Sequence, residues 1–219
     1  MIKFFEVLRK CSLFNDINDE DLNALLTCLR PRITFFDKKY TVFSEGSSAK
    51  YVGIVLSGSV QMVKHDYYGN RSIVANFEPS ELIGEAFACA GVKALPVSVI
   101  ADEPCEIMLI ECERILHPCS RSCSFHQQMI YNLMKNLAIK NISFHQKIDI
   151  MSKRSTREKL MAYLLIQAEK NGSTKFHISF DRQELADYLE VDRSGLSAEI
   201  GKLRSEGVLK SKKNYFELL

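Results

Sequence analysis

The spacing of apolar residues changes along the chain and divides it into regions with different predicted structures. Between about residues 32 and 115, short β-branched and aromatic runs such as Tyr51–Leu56 and Ile107–Ile110 are separated by turn signals such as Ser57–Gly58. Regularly spaced short strands of this kind are typical of an antiparallel roll or small barrel. The first thirty residues instead predict short helices, one of which starts near Asn18 and stops at Pro31.

A long helix is predicted from Cys119 to about Ile150, because this stretch has no glycine or proline and its apolar residues recur at helical intervals. A helix of this length spans roughly 45 Å, more than one small domain covers. We therefore expect its apolar stripe to form a dimer seam, with a buried core helix as the alternative. Lys140 and Asn141 interrupt the stripe, as register-setting polar residues of a coiled coil would. The residues expected on the seam are Ile130, Leu133, Leu137 and Phe144, and the same apolar stripe continues to Ile148.

The last seventy residues predict a compact helical unit with clear helix starts. Ser155 with Glu158 and Asp181 with Glu184 form two capping boxes, and Asp192 caps a third helix. A short helix, a tight turn and a second helix with small and basic residues at its outward N-terminal end are typical of a helix-turn-helix. That end of the second helix enters the major groove of DNA. The lysine-bearing stretch 210–215 predicts a hairpin turn, either a wing beside DNA phosphates or a solvated surface turn.

The C-terminal motifs resemble a known family. Arg182–Ala186, Val191–Ser197 and Leu203–Leu209 are similar to the winged helix-turn-helix of the CRP/FNR superfamily of bacterial transcription regulators. The family's domain order matches the periodicities over the whole chain. The resemblance implies an α+β fold with an N-terminal antiparallel, jelly-roll-like β-roll that is cyclic-nucleotide-binding-like and senses an effector (1–118). A long dimerisation helix (119–150) and a C-terminal winged helix-turn-helix (151–219) would follow.

This resemblance implies a cytoplasmic homodimer that binds palindromic double-stranded DNA, contacts RNA polymerase and responds to a small-molecule effector of unknown identity. The net charge of +2 permits DNA binding but does not argue for it. The sequence has no Gly-rich phosphate loop and no nucleophile elbow, so it does not predict an enzyme. Its apolar runs are too short to cross a bilayer, and we expect no membrane contact.

The resemblance also assigns DNA contacts. The glutamate and arginine that read bases in well-known members match Ser194 and Ala198, which cannot make the same bidentate contacts. The operator is therefore expected to differ from the family's best-known half-sites. Arg193 lies at a family base-contact position and can pair with guanine, so we expect it to read bases, with Ser194 and Ser197 as secondary contacts. The residues expected to contact phosphates are Arg182, Gln183, Lys202, Lys212 and Lys213.

The effector pocket departs from the family pattern. Cyclic-nucleotide binders in the family use a Gly-Glu pair for the ribose and an Arg-Ser or Arg-Thr pair for the phosphate. Gly84 and Glu85 match the first pair, but Leu95 and Pro96 stand at the phosphate-binding positions. Burying a phosphate without a cation or donors is unfavourable, so we do not expect cyclic AMP to bind in the family's manner. These four residues would line either a pocket for an uncharged effector or a filled core.

An alternative function is a redox- or metal-responsive regulator that senses through Cys119 and Cys123. If Pro118 begins the long helix, these two cysteines share one helical face with a histidine. The full candidate set is Cys112, Cys119, Cys123 and His126. Iron–sulfur, haem or another metal stays open as a cofactor, although Cys11 and Cys28 are too far apart to imitate the N-terminal cluster of iron–sulfur members. The alternative is that the cysteines are buried packing residues.

Overall fold

The structure, a computed structural model, describes residues 4–117 and 123–219. The chain divides into two compact units, one formed by Met1–Tyr68 and Val74–Asn141 and the other by Gly69–Ile73 and Ile142–Leu219. The long helix α5 (Ser124–Ser152) contributes to both units. Within the described ranges, no helix is both long and apolar enough to span a bilayer.

The N-terminal region is an antiparallel β-roll with short helices around it, as the sequence predicts. Its helices are α1 (Phe5–Lys10), α2 (Asp19–Leu29), α3 (Glu85–Cys89) and α4 (Cys112–Leu116), with a 3-10 turn at Ser12–Phe14. Its strands are β1 (Arg32–Phe36), β2 (Thr41–Phe43), β3 (Tyr51–Ser57), β4 (Val60–His65), β5 (Arg71–Phe77), β6 (Leu82–Ile83), β7 (Ser98–Ala101) and β8 (Cys105–Glu111). They form two four-stranded sheets with the orders β1-β8-β3-β6 and β2-β7-β4-β5.

The central strands β3 and β8 are buried on both faces, because alternate residues of a strand point to opposite sides. In β3, Ile54 packs into a core cluster with the N-terminal helices, whereas Val55 joins a second cluster shared by the two sheets. In β8, Met108 and Ile107 divide in the same way. The side chain of Asn18 caps helix α2, and the leucines of this helix pack into the first cluster. The roll therefore has a core on each side of one sheet.

The C-terminal region contains three helices and a small sheet. The helices are α6 (Thr156–Asn171), α7 (Arg182–Leu189) and α8 (Arg193–Ser205), and the strands are β9 (Lys175–His177), β10 (Leu209–Lys212) and β11 (Tyr215–Leu218), in the order β10-β11-β9. Both predicted capping boxes, at Ser155 and Asp181, are confirmed. The wing turn is shorter than predicted. It is limited to Lys213 and Asn214 between the two strands, and Lys213 adopts a φ of 54°.

Helix α5 starts later than the sequence predicts. Its first residue is Ser124, and Cys123 lies just before it, with its carbonyl oxygen 3.0 Å from the amide nitrogen of His126. The prediction that Cys123 and His126 share a helical face is therefore wrong, because Cys123 occupies the cap and not the helix. The expected helix start at Pro118 and the position of Cys119 lie outside the described residues.

Helix α5 has two apolar faces, one packed against its own chain and one exposed. Part of the predicted dimer seam is wrong, because some of its residues lie on the packed face. Leu133 is buried in the first core cluster and Leu137 packs against that cluster, so both contact their own chain. The remaining predicted seam residues are Ile130, which is half-buried, and Phe144, which is 39% exposed. The solvent-facing stripe comprises Tyr131, Met134, Ala138, Ile142 and Ile148, of which only Ile148 belongs to the apolar stripe predicted from the sequence. Helical periodicity alone does not distinguish a stripe that packs internally from one that faces a partner.

Candidate nucleic-acid interface and effector pocket

The turn between α7 and α8 is built by two residues that fix its direction. Glu190 ends α7 in the left-handed conformation, and Val191 donates its amide to the carbonyl of Ala186 at 3.1 Å. Asp192 then begins α8 by accepting the Ser194 hydroxyl and the Gly195 amide, the latter at 2.9 Å. These hydrogen bonds, with Ser194 contributing most, hold the pKa of the Asp192 carboxyl below its usual range. The buried face of α8 carries Leu196, Ile200 and Leu203.

The outward N-terminal end of α8 presents Arg193, Ser194 and Ser197, all exposed. The Ser197 hydroxyl donates to the Arg193 carbonyl at 2.9 Å, and the Ser194 hydroxyl donates to Asp192. Both hydroxyl protons are thus already donated, one to Arg193 and one to the cap residue Asp192, and only the hydroxyl oxygens remain to accept hydrogen bonds. The Arg193 guanidinium has no hydrogen-bond or ion-pair partner in the described part of the chain. Arg193 is therefore the residue of this group that can donate to a base edge without breaking an existing bond.

A concave surface that encloses a volume of about 500 Å³ lies beside this end of α8. It is lined by Ser179, Phe180, Asp181, Arg182, Gln183, Glu184, Arg193, Lys213 and Asn214. The fold thus brings together Arg193 from α8, Arg182 and Gln183 from the start of α7, and Lys213 from the wing turn. Arg193 was expected to contact bases, and the other three to contact phosphates.

The three residues predicted to contact phosphates differ in whether their side chains already make contacts within the chain. Arg182 donates from Nη2 to the Lys213 carbonyl at 3.3 Å, its guanidinium lies 5.8 Å from the Phe216 ring centre, and burial lowers its pKa. Gln183 donates to the Asp187 carboxylate at 2.8 Å. Arg182 therefore braces the wing turn, a role that the sequence did not indicate, while the exposed side chain of Lys213 points its charge to solvent.

The remaining two phosphate candidates lie away from this concave surface. Lys202 projects from α8 and lies 3.6 Å from the Glu199 carboxylate, with a mostly exposed side chain. Lys212 is exposed at the end of β10. Both remain accessible cations near the helix and the wing.

Gly84 is required at the start of α3 by its backbone and its surroundings. Its φ of 76° is unfavourable for residues with a Cβ. A Cβ at this position would also lie 2.9 Å from the Phe43 ring and 3.3 Å from the Tyr51 carbonyl oxygen. The glycine of the Gly-Glu pair thus has a structural reason to be present.

The Glu85 side chain is buried and already paired. Its Oε1 lies 2.6 Å from Nζ of Lys140, which reaches it from α5. The same ammonium donates to the Leu82 carbonyl at 2.5 Å and lies 4.7 Å from the centre of the Phe77 ring. The interpretation of Lys140 as a register-setting residue of a dimer seam is therefore wrong, because its charge is satisfied inside its own chain.

A small cavity lies next to Gly84, the residue before Glu85. The cavity next to Gly84 has a volume of about 20 Å³ and is lined by Phe43, Ser48, Ala49, Lys50, Tyr51, Gly84 and Leu95. Such a volume holds about one water molecule. Leu95 is buried and Pro96 is exposed. The region matches the filled-core alternative more closely than an open pocket for an effector.

The predicted cluster of metal ligands is not assembled by the described residues. Cys112 is buried with its Sγ 3.6 Å from that of Cys89, and Nε2 of His126 lies 3.0 Å from the Ile115 carbonyl oxygen. Cys123 caps the helix, as described above. Residues 4–117 and 123–219 contain no group of three or more side chains suited to a metal ion. Cys112 and His126 have separate side-chain partners, Cys123 lies before the first residue of α5, and Cys119 lies outside the described residues.

Comparison with protein families identifies two domains in the chain. The model of the cyclic nucleotide-binding domain matches residues 33–122, and that of the Crp-like helix-turn-helix domain matches residues 158–219. These ranges correspond to the β-roll and to the region with α7, α8 and the wing. No protein with curated function matches the sequence significantly.

Several solved structures share the fold. The global regulator CLP of Xanthomonas campestris, described as responsive to c-di-GMP, has a TM-score of 0.72 at 18% identity, covering 90% of this chain and 98% of its own. FixK2 of Bradyrhizobium japonicum has a TM-score of 0.67 at 17% identity, covering 86% and 92%. The catabolite activator protein of Thermus thermophilus has a TM-score of 0.54 at 22% identity, covering 95% and 93%. With both domains matched in the family's order, the chain belongs to the CRP/FNR family of transcription regulators, which are DNA-binding proteins and not enzymes.

Proposed function

We propose that this protein is a homodimeric regulator that reads a palindromic DNA operator with α8 and controls transcription through contact with RNA polymerase. The observation that carries the proposal is the concave surface where Arg193 meets Lys213 of the wing turn. A helix N-terminus placed beside a basic wing suits a groove edge flanked by phosphates. Within this arrangement Arg193 reads a guanine, and Ser194 and Ser197 accept hydrogen bonds from base edges.

Phosphate contacts in this proposal come chiefly from the exposed lysines. Lys213, Lys212 and Lys202 neutralise the DNA backbone and position α8 without reading sequence. Arg182 and Gln183 lie at the start of α7, where exposed amides also favour an anion. Since Arg182 is engaged with the wing turn, its main contribution is to hold that turn in place.

The proposed dimer forms through the exposed apolar stripe of α5. Tyr131, Met134, Ile142 and Ile148 are each more than half exposed and recur along one side of the helix. Solvent-exposed apolar side chains in a row over several turns favour packing against a second helix of the same kind. Two copies of α5 packed in this way would present two copies of α8, as a palindromic operator requires.

We also propose that cyclic AMP does not control this protein in the family's manner. The carboxylate of Glu85, which would take the ribose hydroxyl, is neutralised by Lys140. The adjacent cavity of about 20 Å³ is far smaller than a nucleotide requires. An effector that binds at Glu85 would therefore be of another chemical class or displace the ion pair.

The test is selection of DNA from a random oligonucleotide pool by the full-length protein, with no ligand, with cyclic AMP and with cyclic di-GMP. We expect enrichment of a palindrome, unchanged by cyclic AMP. An Arg193→Ala variant assayed in parallel distinguishes sequence reading from charge attraction. Binding that depends steeply on salt but enriches no sequence would contradict the proposal.

A further inference from the structure

Two cysteine side chains of the β-roll lie next to each other at the junction of α3 and α4. Cys89 is the last residue of α3, and Cys112 is the first residue of α4, 23 positions later. Their sulfur atoms are 3.6 Å apart, a contact between two thiols. Neither residue belongs to the DNA-reading surface or to the ion pair at Glu85.

The surroundings hold both cysteines in place. The amide of Cys112 donates to the Lys50 carbonyl at 3.0 Å, and the Cys112 side chain is part of the first core cluster. Cys89 packs against the same cluster from the end of α3. A disulfide bond has a length of about 2.05 Å, so the sulfurs need to approach by about 1.5 Å. This approach is a local movement between two neighbouring helix ends.

The two thiols have different environments, which gives each a distinct role in oxidation. Cys89 is partly exposed, whereas Cys112 is only 4% exposed. The hydrogen bond between the two thiols lowers the pKa of the Cys89 thiol, and the same bond, together with burial, raises the pKa of the Cys112 thiol. By contrast, burial raises the pKa of Cys105 to about 11 and that of Cys11 to about 12. Cys89 is therefore both the accessible sulfur and the better nucleophile of the pair.

We propose that Cys89 and Cys112 form a reversible intramolecular disulfide when the protein meets a hydroperoxide. The Cys89 thiolate attacks the terminal peroxide oxygen, forming a sulfenic acid and releasing water or an alcohol after protonation. The Cys112 sulfur then attacks the Cys89 sulfur, the sulfenic oxygen leaves as water, and the S–S bond forms. Two thiols are oxidised by two electrons in total, and one peroxide is reduced. A dithiol reductant reverses the reaction by exchange.

This site lies on the element that also carries the Glu85–Lys140 pair. Helix α3 begins with Glu85 and ends with Cys89, so a bond at one end acts on a helix whose other end holds α5. The disulfide goes beyond the proposed function, and its formation does not depend on DNA binding. Its chemistry can therefore be tested without an operator.

The experiment treats reduced full-length protein with a small molar excess of hydrogen peroxide, blocks remaining thiols with N-ethylmaleimide, and maps peptides by mass spectrometry. Trypsin leaves Cys105 and Cys112 in one peptide, and cleavage after Glu106 separates them. We expect the main oxidised product to join the Cys89 and Cys112 peptides, two hydrogens lighter than the reduced pair. Dithiothreitol should restore both thiols.

Three variants give the matched comparisons. Cys89→Ser and Cys112→Ser should each abolish the linked peptide, and Cys112→Ser should accumulate a sulfenic acid at Cys89 that dimedone traps. Cys105→Ala removes a buried thiol outside the pair and should leave the product unchanged. Oxidation of Cys89 to a sulfinic acid in the wild-type protein while Cys112 stays a free thiol would overturn the proposal, as would a peptide linking Cys89 to another cysteine.

Discussion

Lys140 from the long helix places its ammonium 2.6 Å from the carboxylate of Glu85 inside the β-roll. The carboxylate side chain is only 3% exposed, and the ammonium also contacts the Leu82 carbonyl and the Phe77 ring. Because the ammonium also has these protein partners, the two charges are compensated by the protein and do not depend on water. It joins α5 to Glu85, the first residue of α3.

Replacing Lys140 with methionine should strongly destabilise the protein, because Glu85 would remain buried without its partner. Removing one member of a buried pair costs about 3 to 5 kcal/mol in unfolding free energy. Urea unfolding at neutral pH measures the loss. Lys135→Met, which changes an exposed lysine of the same helix, should shift the unfolding free energy by less than about 0.5 kcal/mol. If both variants were equally stable, the ion pair would not contribute to the fold.

Replacing Arg193 with alanine should weaken binding to the selected operator by about 1 to 3 kcal/mol, because a bidentate contact to guanine is lost. Binding to random DNA should stay nearly unchanged. Fluorescence anisotropy with both DNAs at several salt concentrations measures the difference. The matched control is Lys213→Ala, which should weaken binding to both DNAs and lower the salt slope by about 1. Equal losses on both DNAs for Arg193→Ala would assign it to the phosphate backbone.

A charge placed in the exposed stripe of α5 should separate the dimer. Met134 is 58% exposed in the single chain, and Met134→Glu would bury a carboxylate between two apolar stripes. Sedimentation velocity at micromolar concentration should show a dimer for the wild type and mostly monomer for the variant. Gln146→Glu adds the same charge outside the stripe and should remain dimeric. A dimeric Met134→Glu variant would place the interface elsewhere.

Lys147 should make stability depend on pH above neutrality. Burial lowers the pKa of the Lys147 ammonium from its usual 10.5 to about 7, and this effect outweighs the nearby Glu190 carboxylate, which raises the pKa. The Lys147 Nζ lies 3.2 Å from the Tyr188 ring centre and also contacts the Tyr188 carbonyl. Between about pH 7 and 10, the unfolded chain binds a proton at this lysine that the folded chain does not. The unfolding free energy contributed by this group therefore rises with pH across that window.

The measurement is urea unfolding of the wild type and Lys147→Met at pH 7, 8 and 9. The difference between the two removes the contributions of cysteines, which are present in both proteins. We expect the wild type to gain stability relative to the variant as pH rises, on the order of 1 kcal/mol per pH unit. Parallel pH profiles would show that Lys147 stays charged in the folded protein.

Local signals in the sequence predicted the DNA-binding region well. The capping boxes at Ser155 and Asp181, and the cap at Asp192, each depend on residues within three positions of one another. The strands of the roll were likewise marked by short apolar runs and turn residues. Such features can be read from sequence because their physical causes lie within a few residues.

Contacts between distant segments were missed for the opposite reason. Helical spacing predicts a seam position for Lys140, but its partner Glu85 lies in another element and is not near it in sequence. The thiol contact of Cys112 with Cys89 also depends on how α3 and α4 meet, and not on helical spacing. For α5, both faces are apolar, so periodicity found the helix without showing that Leu133 faces the protein's own core.

The hydrogen bond from Arg182 to the Lys213 carbonyl has a consequence for the kinetics of DNA binding. A mobile loop must give up conformational freedom when it settles on phosphates, and that loss weakens the complex. Here the turn backbone is already anchored in the free protein, so only the Lys213 side chain has to become ordered. Docking of the wing should then proceed at the rate of electrostatic encounter, with no slower folding step after first contact.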